Sequence, residues 1–160
     1  MSNHPVRSLV ALSVLSFLAT VASPLAAQDA QAAPSEQGAR EEVDGLRVTE
    51  ITVARSIEGG QAIDPTSTFA STDGRVMVLI RVENSTGAET DIRVSFERAD
   101  RELVSGESAA GAGVALHVPA QRRYRTQART GTGAAGRFRV VVRTSAGNVL
   151  GSAEYEVTGG

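Results

Sequence analysis

Arg137-Phe138-Arg139-Val140-Val141-Val142-Arg143-Thr144, then Ser145-Ala146-Gly147-Asn148, then Val149-Leu150-Gly151-Ser152-Ala153-Glu154-Tyr155-Glu156-Val157: this run decides the fold class. Its first part carries Phe138, Val140 and Val142 on one face and Arg137, Arg139 and Arg143 on the other. That is the period-two pattern of a half-buried strand. Gly147 marks a tight turn, and Val149, Ala153, Tyr155 and Val157 line one face of the returning strand, so the run reads as a hairpin. The closing strand also carries Leu150 on its outer face and is a candidate sheet edge.

Working back toward the N-terminus, the same punctuation recurs, with no helical periodicity. Residues 46–55 form a first strand in which Leu46 and Val48 share one parity while Ile51 and Val53 take the other, predicting a bulge or a passage between sheets. Residues 75–83 are apolar on both faces at first and read as a central strand. A turn with Asn84, Ser85 and Gly87 leads to residues 90–98, where Ile92, Val94 and Phe96 alternate with Arg93, Ser95 and Glu97; the two strands are expected to pair as a hairpin. A short strand near residues 102–104 follows. The loop 106–113 is too poor in side chains to pack well and is expected to be mobile. Val114, Leu116 and Val118 then alternate, and residues 122–129 are extended. Seven or eight short strands in roughly 110 residues fit an all-β, immunoglobulin-like antiparallel sandwich over residues 46–158. A small closed barrel is the alternative.

The N-terminal segment has a different character. Arg7 precedes an apolar run from Leu9 to Val21, followed by Pro24 and the small residues Ala26 and Ala27, which reads as a signal peptide over 1–27 cleaved after Ala27. Ala30 and Ala32 are alternative sites. The run is shorter than the ~20 residues of a spanning helix, and no later segment is apolar enough to span, so an exported mature chain without a membrane span is expected, periplasmic or extracellular. Residues 28–45, rich in Ala, Gln, Ser and Glu and ending in the acids Glu41, Glu42 and Asp44, read as a flexible linker.

The chain has no cysteine and two histidines, His4 and His117, against a formal net charge of −2. One histidine beyond the signal segment makes no transition-metal site of the usual kinds, so no cofactor or metal is expected. His117 alternates with Leu116 and Val118 and points outward. No G-x-S-x-G elbow, facing carboxylate pair or phosphate loop is present, so no enzymatic activity is expected. The near-neutral charge argues against a nucleic-acid binder.

One asymmetry remains. Every basic side chain is arginine, and between Glu107 and Glu154 there is no acid, whereas Arg122, Arg123, Arg125, Arg129, Arg137, Arg139 and Arg143 all fall there. Arg123, Arg125 and Arg129 share one face of their strand, as Arg137, Arg139 and Arg143 do of theirs. If the two strands pair, an arginine ladder results, with Tyr124 beside it as a core aromatic or a binding anchor. Guanidinium forks bind carboxylates and phosphates bidentately, which points to an anionic glycan or an acidic envelope protein as partner. The competing reading is that Glu97, Glu154, Glu156 or Asp91 neutralise these arginines across strands, leaving a structural accessory domain.

Residues 47–157 also resemble a bacterial family, domain of unknown function 2914. The resemblance lies in Val48-Thr49-Glu50-Ile51-Thr52-Val53-Ala54-Arg55, an Asp-Pro loop, the strand from Val76 to Val82, Arg123-Tyr124-Arg125-Thr126, Gly136-Arg137-Phe138-Arg139-Val140 and Gly147-Asn148-Val149-Leu150. The chain departs from the family pattern at Phe138, where tryptophan is favoured, and at residues 90–98, which replace a stretch with His and Trp. The resemblance implies a β-sandwich in the cell envelope and brings no activity with it.

Overall fold

The computed structural model describes residues 41–160. The signal-peptide reading and most of the linker lie outside the described residues.

Ten strands form two sheets: β1 (Glu42–Val43), β2 (Leu46–Glu58), β3 (Gln61–Pro65), β4 (Thr68–Ala70), β5 (Val76–Asn84), β6 (Thr90–Arg98), β7 (Val114–Val118), β8 (Arg123–Thr130), β9 (Gly136–Thr144) and β10 (Val149–Thr158). The first sheet runs β1-β2-β5-β8, with β3 also paired to β2; the second runs β4-β10-β9-β6-β7. Apart from two short 3-10 turns the described chain has no helix, so it is all-β.

The parity switch in β2 is a bulge. Val48 pairs with Val82 and Glu50 with Arg81, leaving Thr49 as the extra residue. One inserted residue restores the inward face, so Leu46, Val48, Ile51 and Val53 are all buried. They pack with Val76, Val78, Ile80 and Val82 of β5 and, from the second sheet, Ile92, Val94, Val140, Val142, Ala153, Tyr155 and Val157 in one core. Each such aliphatic side chain contributes about 1.5–3 kcal/mol of burial. Tyr155 is its aromatic centre, stacked on Phe138 at 5.6 Å between ring centroids and edge-on to Phe69 at 6.0 Å. Burial pushes its hydroxyl up to about 12.

Several expectations are corrected. Glu42 and Val43, read as linker, pair with β2 through a two-residue turn at Asp44 and Gly45, both at positive φ, so the paired structure starts at Glu42 rather than Leu46. β5 and β6 do not form a hairpin; they belong to different sheets. The connection between them is an arch pinned by buried Asn84, whose amide donates to Ala88 O (2.8 Å) and Pro119 O (3.1 Å) while its oxygen accepts from the Thr86 N–H. β10 is covered at its end, where β4 pairs in parallel with Glu156, Val157 and Thr158, and Leu150 is buried rather than on an outer face. Val114 is exposed rather than inward, and residues 102–104 form no strand.

The Gly/Ala loop is tied to the sheet at Gly106 and Ala109, although most of its residues are exposed. It belongs to a strap, residues 99–113, that carries a 3-10 turn (Glu107–Ala109) with Ala109 buried. Gly106 N–H donates to Gly147 O at 2.9 Å. A Cβ on Gly147 would stand 1.9 Å from Gly106 O, so the missing side chain is what admits the strap. Small residues here permit backbone against backbone.

Candidate functional site

β8 reads Arg-Tyr-Arg-Thr-Gln-Ala-Arg-Thr, and alternation sets Arg123, Arg125, Gln127 and Arg129 outward, all exposed, with Tyr124 and Ala128 turned to the core. Antiparallel pairing aligns these outward residues in rows across three strands. Arg47, Glu83 and Arg123 form one row; Glu50, Arg81 and Arg125 the next; then Thr52, Leu79 and Gln127; then Ala54, Met77 and Arg129. These four rows carry five arginines and two glutamates, an excess of three positive charges.

The two glutamates make their shortest contacts with the arginines of β2 and β5. Glu83 lies 2.9 Å from Arg47 Nη2 and 3.5 Å from Arg123 Nε, and Glu50 lies 2.6 Å from Arg81 Nε. Arg125 stands directly opposite Arg81, a like-charge pairing that opposes folding unless something offsets it. Its guanidinium donates instead to the carbonyl of Gly60 at 3.1 Å, a neutral acceptor at the β2–β3 turn. Arg129 has no ion pair among the described residues. Between Arg81, Arg123 and Arg125, with Thr49, Glu83 and Gln121, lies a groove of about 580 Å³. Guanidinium groups on two adjacent strands therefore face one open concavity, the arrangement that takes a carboxylate, sulfate or phosphate in bidentate fashion.

The ladder joining the two arginine sets does not form, because β8 pairs with β5 and β9 with β6 and β10 in the other sheet. On β9 two of the three arginines, Arg139 and Arg143, are internal to the fold. Arg143 is 1% exposed; its guanidinium donates to Glu97 Oε1 (2.7 Å), Ser95 Oγ (2.6 Å) and Val104 O (2.9 and 3.1 Å). Arg139 donates to Arg101 O at 2.6 Å and has Glu97 at 3.8 Å. These two side chains fasten the strap to the outer face of the second sheet. Arg137 remains exposed and paired with Glu154 at 2.6 Å. The competing reading, neutralisation by neighbouring acids, thus describes β9, while the uncompensated reading describes β8. Tyr124 belongs partly to both, packing against the core and lining the groove. His117 faces outward with Asp91 at 3.5 Å.

Arg81, Arg47 and Gln121 complete the face, and the sequence alone does not single them out. The signal was present for Arg81, which shares the parity of Met77, Leu79 and Glu83 on the outer side of β5. Its neighbours across the sheet were not readable.

Glu97 is the one carboxylate locked into the strap fastening. Burial by itself would raise its pKa, but hydrogen bonds from Arg143 and Ser95 and the charges of Arg143 and Arg139 outweigh it and hold the group below its ordinary value of 4.5. A depressed folded pKa gives stability that is complete above the unfolded value and is lost as pH falls through the folded one. Denaturation midpoints measured from about pH 6 down to about pH 3 should therefore fall below about pH 4.5, and less steeply in Glu97→Gln. Equal slopes in the two proteins would contradict the assignment.

Among the described residues no group of three or more His, Cys, Asp or Glu could hold a metal ion, and no helix is long and apolar enough to cross a membrane. No family model matches the chain, and no curated protein matches it. Among solved structures it is similar to the alkylpurine DNA glycosylase AlkC of Pseudomonas fluorescens, bound to DNA containing an abasic site analog, at 15% identity and a TM-score of 0.44 over 73% of this chain and 31% of that one. It is also similar to a β-glucosidase from Kluyveromyces marxianus in complex with glucose, at 12% identity and a TM-score of 0.40 over 71% of this chain and 14% of that one. The chain thus spans less than a third of the length of either neighbour.

Proposed function

We propose that this chain is an exported, non-enzymatic binding module of the bacterial cell envelope, an immunoglobulin-like sandwich related to domain of unknown function 2914, that holds an anionic ligand on the outer face of β2, β5 and β8. The observation that carries this reading is the charge excess concentrated on β8. Among the described residues Arg125 and Arg129 have no carboxylate partner, and Arg123 shares Glu83 with Arg47. Unpaired arginines on a sheet face repel one another and are relieved by an anion that spans them. The paired arginines of β9 support only a structural role for that strand.

The test uses the full chain and a variant carrying Arg123→Glu, Arg125→Glu and Arg129→Glu, with heparin as a defined anionic glycan and isolated envelope fractions as the natural source. Saturable binding by the wild type should weaken as salt rises, since exposed charges are screened beyond about 10 Å at 0.1 M. The variant should bind at least about a hundredfold more weakly, taking about 1 kcal/mol for each lost contact. Equal binding by the variant, or none by the wild type to either material, would overturn the proposal and leave a structural accessory domain.

A further inference from the structure

β8 is an open edge as well as a charged face. Among the described residues it pairs with β5 on one side and with no strand on the other. The register settles which backbone groups are open. Asn84 N–H donates to Arg122 O at 3.0 Å, so residue 122 points its polar backbone groups toward β5. In an antiparallel pair, successive residues point these groups to alternate sides. The N–H and C=O of Arg123, Arg125, Gln127 and Arg129 therefore point away from β5, into solvent. The residues that offer open backbone groups are the same ones whose side chains make up the arginine row, and all four are exposed.

From this coincidence we infer that the β8 edge accepts an extended acidic polypeptide segment of a partner protein as an additional strand, its alternate carboxylates lying over Arg123, Arg125 and Arg129. The inference rests on the anion-face reading and narrows its ligand from anions in general to an acidic peptide. Strand addition supplies affinity through main-chain hydrogen bonds and specificity through every second side chain. Cross-strand neighbours stand about 4.5–5.5 Å apart, within reach of a guanidinium–carboxylate pair. The edge is long enough, eight residues, and contains no proline or glycine to interrupt pairing. A second copy of the chain is a poor occupant. In the antiparallel register that aligns the four open positions of each copy, Arg123 of one faces Arg129 of the other, and like charges directly opposite disfavour pairing. A glycan would satisfy the guanidinium groups and leave the backbone edge open.

The experiment separates backbone pairing from charge. The probe is a peptide matching β8 in length and alternating threonine with glutamate, compared by fluorescence anisotropy with two N-methylated forms that block one or the other set of alternate amides. All three carry the same charge. Because only one edge of the added strand faces β8, one methylated form should bind about tenfold or more weaker than the parent, the loss of one or two hydrogen bonds, while the other binds as the parent does. Amide hydrogen exchange at Arg125 and Gln127 should slow when the parent peptide is added. Equal binding of all three peptides overturns strand addition and leaves a charged face. Binding of heparin with no binding of any peptide overturns the acidic-strand inference while the anion-face reading stands. Binding of neither heparin nor peptide overturns both.

Discussion

Replacing Arg143 by methionine should destabilise the domain by about 3–5 kcal/mol, the cost of removing one partner from a buried ion pair. The side chain is buried to 1% exposure and serves three acceptors at once: the Glu97 carboxylate, the Ser95 hydroxyl and the Val104 carbonyl. Without it, Glu97 keeps its charge in a half-buried position and loses its main counter-ion, and the strap over residues 99–113 loses the anchor at Val104. Adding Glu97→Gln to Arg143→Met should recover part of the loss, because the stranded charge is then gone. Urea denaturation of the single and double variants measures both quantities. A single-variant loss under about 1 kcal/mol, in the range of exposed pairs, would show that the strap is not fastened this way.

Tyr155→Ala should cost a comparable amount, about 3–5 kcal/mol, by opening a cavity where the two sheets meet. The residue is 5% exposed and its ring touches Phe138 face to face and Phe69 edge to face, so the substitution removes two aromatic contacts as well as buried area. Tyr155→Phe keeps the ring and should cost far less. Thermal melting of the pair distinguishes packing from the hydroxyl: equal losses would place the effect on the hydroxyl and contradict the packing account.

How far the sequence could be read follows from what alternation encodes. Period two reports the face on which a side chain lies, so the longer strands, the parity switch in β2 and the outward set on β8 are legible, whereas the short strands β1, β3 and β4 carry too few residues to show it. It does not report which strand lies alongside. Turns rich in Asn, Ser and Gly serve a hairpin and an arch between sheets equally well, and for that reason β5 and β6 looked paired when Asn84 in fact turns the chain into the other sheet. The same blindness joined the arginines of β8 and β9 into one ladder.

Arg143 was placed correctly on the outer face of β9, and yet that face is covered. The cover is a Gly/Ala segment whose lack of side chains looked like an inability to pack. It meets the sheet because Gly147, where a Cβ would stand 1.9 Å from Gly106 O, lets the two backbones approach. Burial of Arg143 then follows from polar satisfaction: Ser95 and Glu97 on β6 and the carbonyl of Val104 supply the acceptors that a buried guanidinium requires.

The central claim is that the arginines divide into a structural set on β9 and a ligand-facing set on β8. The most direct measurement sets two variants side by side, the β8 triple reversal and Arg143→Met, and reads both heparin binding and thermal midpoint for each. The account predicts that the β8 reversal abolishes binding with its midpoint little changed, and that Arg143→Met lowers the midpoint while the protein, held below that midpoint, binds as the wild type does. A β8 reversal that unfolds the domain, or a folded Arg143→Met protein that no longer binds, would contradict the division.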